Sequence, residues 1–191
     1  NSPINPSSIV NILTLRYDLS INPNLPKKTW KDFEPIEEPV NPTSIENSIC
    51  NDIEKKLNYT NEQKISIALS GGVDSALMLS LLRKTKPDVK INAVSIKFAN
   101  SIDETPSASR IAEKYNADHY IIDLENYLSE LPKAISIIKL PFWDLHWYYV
   151  VKKSQTLSKT LISGDGGDEL FAGYTFRYKK FLSLTNDNSS S

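Results

Sequence analysis

The chain has 191 residues, with 22 Lys and Arg against 23 Asp and Glu, a net charge of −1 and 40% hydrophobic residues, which fits one globular domain. The even charge argues against a nucleic-acid reader, which carries a basic stripe, and no run of 18 or more apolar residues exists to span a bilayer. A single cysteine, Cys50, rules out an internal disulfide and a Cys-rich metal site, and without a signal-peptide pattern the expected compartment is a reducing cytoplasm.

Seven of the eleven prolines fall in the first 42 residues (Pro3, Pro6, Pro23, Pro26, Pro35, Pro39 and Pro42). Proline lacks an amide donor, so residues 1–43 are expected to resist regular helix or interior strand and to form an arm. Within it Ile9 to Tyr17 is apolar enough to pack somewhere, and Trp30 and Phe33 are suited to anchor the arm on the body. The start at Asn1 rather than Met reads as processing or cutting. The body is expected over 44–185. Ser44 reads as an N-cap, followed by Ile45, Ile49, Ile53 and Leu57 on one helical face, with Cys50 semi-buried beside it. Ile65 to Leu69 is a first strand feeding SGGVDS, and Ala76 to Leu82 belongs to a buried helix. Ile91 to Phe98 is a second strand, Ser107 to Tyr115 a helix, and His119 to Leu124 a third strand in which His119 is a packing residue. Asn126 to Ile138 reads as mostly helix and Trp143 to Gln155 as another helix. Thr160 to Ser163 is a fourth strand, ending in a second glycine-rich loop and a last helix. Asn186 to Ser191 is a polar, disordered tail. No internal repeat is visible.

All six glycines lie in two segments, Gly71 and Gly72, then Gly164, Gly166, Gly167 and Gly173, which marks both as special backbone sites. Alternating strands and helices predict an α/β fold, an open parallel sheet with helices on both faces. Ligands of such sheets bind beyond the strand carboxyl ends, where both glycine loops sit. If the loops share one ligand, strands one and four are neighbours and the order is 3-2-1-4.

Ser70-Gly71-Gly72-Val73-Asp74-Ser75 turns from strand directly into helix, so consecutive N–H groups and the positive helix end face one spot and cradle phosphate oxygens. Its five fixed letters arise by chance about once in a million start points. It is not the Walker A pattern, because Lys is absent and charge neutralisation falls to a metal ion held by Asp74. Taken alone, it could also be a tight turn capped by Asp and Ser. The motif resembles the pyrophosphate loop of the N-type ATP pyrophosphatases, which adenylate a substrate and release pyrophosphate. The second segment, Ser163 to Tyr174 (SGDGGDELFAGY), could by itself be a strand-to-helix loop with Asp168 as N-cap. Beside the first motif it resembles the second signature of the asparagine synthetase family, which includes the β-lactam synthetases. The similarity runs through Ser95 to Phe98, Asp103-Glu104, Ala108, Ile111-Ala112 and His119, over about residues 65–178.

The resemblance implies an adenine nucleotide alpha hydrolase-like fold and an ATP-dependent, AMP-forming carbon–nitrogen ligase of asparagine biosynthesis. In it Ser70, Gly71, Gly72, Asp74 and Ser75 hold the pyrophosphate end of ATP. Leu69, Ile96, Ser163 and Gly164 hold the adenosine end. Asp74 and Asp168 bind Mg²⁺, and Asp165 matches an acidic position that handles a proton when ammonia attacks the acyl-adenylate. The implied acceptor is an amino acid, aspartate through its β-carboxylate. The chain departs from the family in three places. No glutaminase segment with an N-terminal Cys is present, so ammonia is free or comes from a separate glutaminase subunit. Lys179 and Lys180 come too early to match the family's catalytic Lys. Leu145-His146-Trp147-Tyr148-Tyr149 stands where the family has a small polar residue and a proline in the acceptor pocket, and reads as a core or interface helix in preference to a pocket wall, which either way leaves the aspartate acceptor open. The aromatic helix could cover this core or a second copy in a homo-oligomer. Two other readings compete: a nucleotide-binding module or subunit without turnover, and a tRNA-modifying enzyme, the latter disfavoured by the even charge and the lack of Cys or His metal sites.

Overall fold

A computed structural model describes residues 5–15, 32, 41–60, 62–99, 101–138, 145–171, 173–176, 179–180 and 182–183. The expectations for Trp30, Phe33, Trp143 and the tail from Asn186 lie outside the described residues. In chain order the elements are α1 (Pro6–Leu15), α2 (Pro42–Thr60), β1 (Lys64–Ala68), α3 (Val73–Thr85), β2 (Lys90–Phe98) and α4 (Thr105–Lys114). They continue with β3 (Asp118–Leu124), α5 (Leu131–Ile138), α6 (His146–Ser154), β4 (Leu161–Ile162) and α7 (Gly167–Leu170).

The proline-rich stretch does contain a helix. Proline is tolerated at the first helical position, where its missing N–H has no intrahelical partner anyway. Pro6 opens α1 in this way, and the Asn5 side chain accepts the Ser7 N–H at 3.0 Å. Ile9 and Val10 of α1 are exposed rather than packed. The same device starts α2 earlier than Ser44. Asn41 Oδ1 accepts the Thr43 N–H at 2.9 Å with Pro42 next in the chain, while the Ser44 hydroxyl only donates back to the Asn41 carbonyl at 2.8 Å. The predicted face is correct further along: Ile53 and Leu57 are buried, with Ile49 and Cys50 packed at the edge of the core.

The sheet is parallel in the order β3-β2-β1-β4. Period-two alternation sends Ile65, Ile67, Ile91 and Ala93 to one face, against Leu79 and Leu82 of α3 and Ala108 and Ala112 of α4. Each of the isoleucines and leucines among them contributes about 1.5–3 kcal/mol on burial. On the opposite face Ile96, Phe98, Ile122 and Leu124 meet Ala134 of α5 and Leu145 and Tyr149. Residues 127–130, within the span expected to be mostly helical, form turns, stitched by the Asn126 side chain, whose Oδ1 accepts the Leu128 N–H at 3.1 Å.

The pole opposite the glycine loops is fastened by Arg83 at the end of α3. Its guanidinium donates to the carbonyls of Tyr115 (2.8 Å), Asn116 (2.7 Å), Pro87 (2.7 Å) and Val89 (2.9 Å). Asn116 has φ 50°, a left-handed conformation that asparagine tolerates, and it turns the chain from α4 into β3. One rigid fork thus fixes the entries to both β2 and β3. Arg83→Met is expected to destabilise the fold by about 2 kcal/mol in urea unfolding, and Arg83→Lys to recover only part of it, because one ammonium cannot span four carbonyls.

Candidate active site

β1 ends at Ala68, but Leu69 stays tied to β2 by its N–H to the Val94 carbonyl at 2.9 Å. The chain then turns through Ser70, Gly71 and Gly72 into α3. Two hydroxyls hold the turn closed. Ser75 Oγ accepts the Ser70 N–H at 3.1 Å and lies 3.0 Å from Ser70 Oγ, and Ser70 Oγ accepts the Gly72 N–H at 3.1 Å. Gly72 is the extended N-cap residue of α3 and no side chain caps the helix, so its first turn keeps anion-binding capacity. The Gly71 N–H donates to Glu104 Oε2 at 3.4 Å, which sets a carboxylate beside the cradle. Its neighbour Asp103 accepts from Thr105 Oγ1 at 2.6 Å and Thr105 N at 3.0 Å, and these bonds hold the Asp103 carboxyl below the ordinary range.

The second glycine loop is laid directly on the first. A Cβ on Gly164 would stand 2.9 Å from the backbone of Asp74 and Ser75, and one on Gly167 would stand 2.8 Å from Asp74 Cγ. A Cβ on Gly173 would stand 1.8 Å from Asp168 Oδ1, so the Asp168 carboxylate is folded against that glycine. Gly166, with φ 91°, is the residue that precedes α7, in place of the N-cap role open to Asp168. Asp168 and Glu169 lie in the first helical turn.

Together the loops line a cavity of about 320 Å³ at the carboxyl ends of the strands. Leu69, Ser70, Gly71, Asp74, Ser75, Ile96, Ser163, Gly164 and Asp165 all face it. Gly72 and Asp168 do not: Gly72 is exposed on the turn, and Asp168 is turned to Gly173. The cavity also includes Phe98 and Glu104, which were not assigned to the site, and His146 and Trp147, for which a pocket wall was the alternative to a core or interface helix. The aromatic run therefore divides. Leu145 and Tyr149 go to the core, while His146 and Trp147 form cavity wall. Helical spacing was the available signal, since 145 and 149 share a face that 146 and 147 leave. No Lys or Arg is among the described lining residues.

His119 links β3 to this site. Its Nε2 is 2.7 Å from Ser95 Oγ, its Nδ1 is 2.9 Å from Ser109 Oγ, and Ser95 Oγ donates to the Leu69 carbonyl at 2.5 Å. Burial pushes the imidazole below its ordinary pKa, so the native state keeps it neutral. The unfolded chain takes up this proton below about pH 6.5 and the native state resists it, so acidification through that range costs stability. His119→Gln should weaken this dependence, read as a flatter profile of urea midpoint against pH. Gly164→Ala should cost about 1–3 kcal/mol in the same measurement, because the clash is with backbone that cannot rotate away.

Residues 56–190 match the asparagine synthase family model. The chain is 31% identical over 121 residues to glutamine-hydrolyzing asparagine synthetase 1 of Bacillus subtilis, covering 61% of this chain and 19% of that protein. It is 27% identical over 143 residues to the glutamine-hydrolyzing asparagine synthetase of Homo sapiens, covering 68% and 25%. The chain thus spans a quarter or less of these relatives. An NH3-dependent NAD synthetase from Campylobacter jejuni shares the fold, with a TM-score of 0.52 and 22% identity over 71% of this chain and 62% of that one. So does NMN synthetase from Francisella tularensis, with a TM-score of 0.54 and 23% identity over 71% and 59%.

Proposed function

The chain belongs to the asparagine synthase family, and from that premise we propose that it is an ATP-dependent, AMP-forming ligase that joins ammonia to the β-carboxylate of aspartate. The observation that carries this reading is the convergence of two separate glycine loops on one cavity at the strand carboxyl ends. One loop alone would suit any anion. Two loops in contact, with Asp74, Glu104 and Asp165 around the space they enclose, suit a polyphosphate that must be held, screened and cleaved.

In the proposed reaction a carboxylate oxygen of the acceptor attacks the α-phosphorus of ATP and pyrophosphate leaves. Ammonia then attacks the acyl carbon and AMP departs. Ser70, Gly71, Gly72 and Ser75 hold the pyrophosphate, with the N–H groups of Gly71 and Gly72 exchanging their bonds to Glu104 and Ser70 Oγ for bonds to its oxygens, while Leu69, Ile96, Ser163 and Gly164 flank the adenosine. Asp165 takes the proton that the attacking nitrogen must lose. The donor set fits Mg²⁺, which takes one or two carboxylates and completes its octahedron with phosphate oxygens and water. Asp74 faces the cavity and Asp168 is adjacent in chain to Gly167, which presses on Asp74. Among the described residues no three His, Cys, Asp or Glu side chains gather into a closed metal cage. When bound, the ion would offset charge developing on the leaving pyrophosphate.

The partners in this reading are small molecules, with ammonia free or supplied by a separate glutaminase subunit, and neither nucleic acid nor membrane. No helix among the described residues is long and apolar enough to cross a membrane, and we place the activity in the cytoplasm. In this reading the working body begins with α2 at Pro42 rather than at 44, and the residues before it form an arm. His146 and Trp147 on the cavity wall make the acceptor the first thing to test.

Pyrophosphate release from Mg-ATP by the full native protein, with ammonium present and candidate amino acids added in turn, tests the reading. Release should require aspartate and yield AMP in equal amount. Asp74→Asn should reduce it by about 10²–10³-fold, as loss of an electrostatic contact to the leaving group does. Release with a different acid would reassign the acceptor. ATP binding without release with any acid would instead support a nucleotide-binding module.

A further inference from the structure

We propose that His119 is a positioning residue for the Ser70–Ser75 turn, acting through the Ser95 hydroxyl on the peptide that joins Leu69 to Ser70. The role builds on the reading of that turn as the pyrophosphate cradle.

The direction of each hydrogen bond follows from proton counting. Ser95 is buried, with 4% of its surface exposed, and its single hydroxyl hydrogen faces the Leu69 carbonyl at 2.5 Å. A carbonyl can only accept, so that hydrogen is committed. The Ser95 oxygen then meets His119 Nε2 at 2.7 Å with lone pairs alone, and Nε2 must bring the proton. A bare Nε2 there would set two acceptors against each other. With the proton on Nε2, a neutral ring leaves Nδ1 as an acceptor, and the Ser109 hydroxyl at 2.9 Å donates to it. The chain therefore runs one way, from Ser109 on α4 through His119 on β3 and Ser95 on β2 to the end of β1.

The far end of this chain acts on one peptide plane, and that plane is gripped on both sides. The Leu69 carbonyl is held by Ser95, and the N–H of the same peptide, on Ser70, donates to Ser75 Oγ at 3.1 Å. Leu69 is also tied by its own N–H to Val94. A peptide plane held at both its oxygen and its hydrogen cannot rotate. It is the last peptide plane that joins two non-glycine residues before Gly71 and Gly72, whose own φ and ψ are otherwise loosely constrained. Fixing it sets the direction in which the following N–H groups point, which is what preorganises an anion cradle. Burial favours the neutral ring that this arrangement uses.

Three variants and three readouts test the role. His119→Phe keeps the ring volume and removes both nitrogens, Ser95→Ala removes the link, and His119→Gln places an amide N–H near the position of Nε2. In the wild-type protein, ¹⁵N NMR of the ring should show the proton on Nε2. Amide exchange over residues 70–75 should accelerate in His119→Phe and Ser95→Ala while that of α2 is unchanged. The Kd for Mg-ATP should rise about tenfold in both, as for outer supporting partners of a site, with the double variant no worse than the weaker single one. His119→Gln should restore both exchange and affinity. A ring proton on Nδ1, unchanged exchange and affinity in Ser95→Ala, or failure of His119→Gln to restore either would overturn the proposal. If the wild-type protein binds no Mg-ATP, the nucleotide reading fails, and the ring proton and turn exchange still decide the relay by themselves.

Discussion

The site depends on the parallel pairing of β4 beside β1, because that pairing alone brings the second glycine loop onto the first. It is a short contact, Ser66 with Leu161 and Ile67 with Ile162, made by segments almost a hundred residues apart. Closing so long a loop carries an entropic cost that two ladder residues do not obviously offset. Side chains extend the grip. The Ser66 N–H donates to the Thr160 carbonyl at 2.9 Å, Ser158 Oγ donates to the same carbonyl at 2.9 Å, and the buried Ser66 hydroxyl donates to Ser158 at 2.7 Å. Gly164 then meets the backbone of α3 at a distance no side chain would permit. The glycines of the second loop thus bring two backbones together, and only secondarily make turns.

Charge follows from this geometry. The described cavity lining carries carboxylates from Asp74, Glu104 and Asp165 and neither lysine nor arginine. Any phosphate entering there is met by backbone N–H groups, hydroxyls and the positive end of α3. Those groups attract an anion but do not cancel several negative charges beside three carboxylates. In the proposed reading a divalent cation arriving with the nucleotide would resolve the conflict, with the acids that would repel bare phosphate as its ligands or neighbours. Absence of a P-loop lysine and presence of acids at the cradle are one design choice seen from two sides.

Much of this was legible in the chain itself. Short apolar runs alternating with helical periods indicated the parallel sheet, and the placement of all six glycines at two strand ends indicated the order 3-2-1-4. Nine of the expected site residues line the cavity for the same reason, since a strand-end glycine loop can face little else. What escaped was decided by local hydrogen bonding or by direction. Asn5 with Pro6 starts a helix where prolines suggested none, and Asn41 with Pro42 starts α2 ahead of the expected Ser44, because a proline at the first turn removes a donor that has no partner anyway. The Asn126 side chain competes with the backbone and delays α5. His146 and Trp147 enter the cavity while Leu145 and Tyr149 enter the core, a division set by the rotation of one helix rather than by composition. His119 was expected to pack, and it does so as a hydrogen-bonded bridge rather than as an inert filler.

The central claim is that both glycine loops close on one nucleotide. Hydrogen–deuterium exchange of the native protein with and without Mg-ATP tests it most directly, because it reads the two loops separately. The account predicts that amides in 70–75 and in 163–168 slow together on addition of Mg-ATP, and that Asp74→Ala abolishes both effects at once. Protection of the first loop with the second unchanged, or of neither while ATP is bound elsewhere, would contradict it.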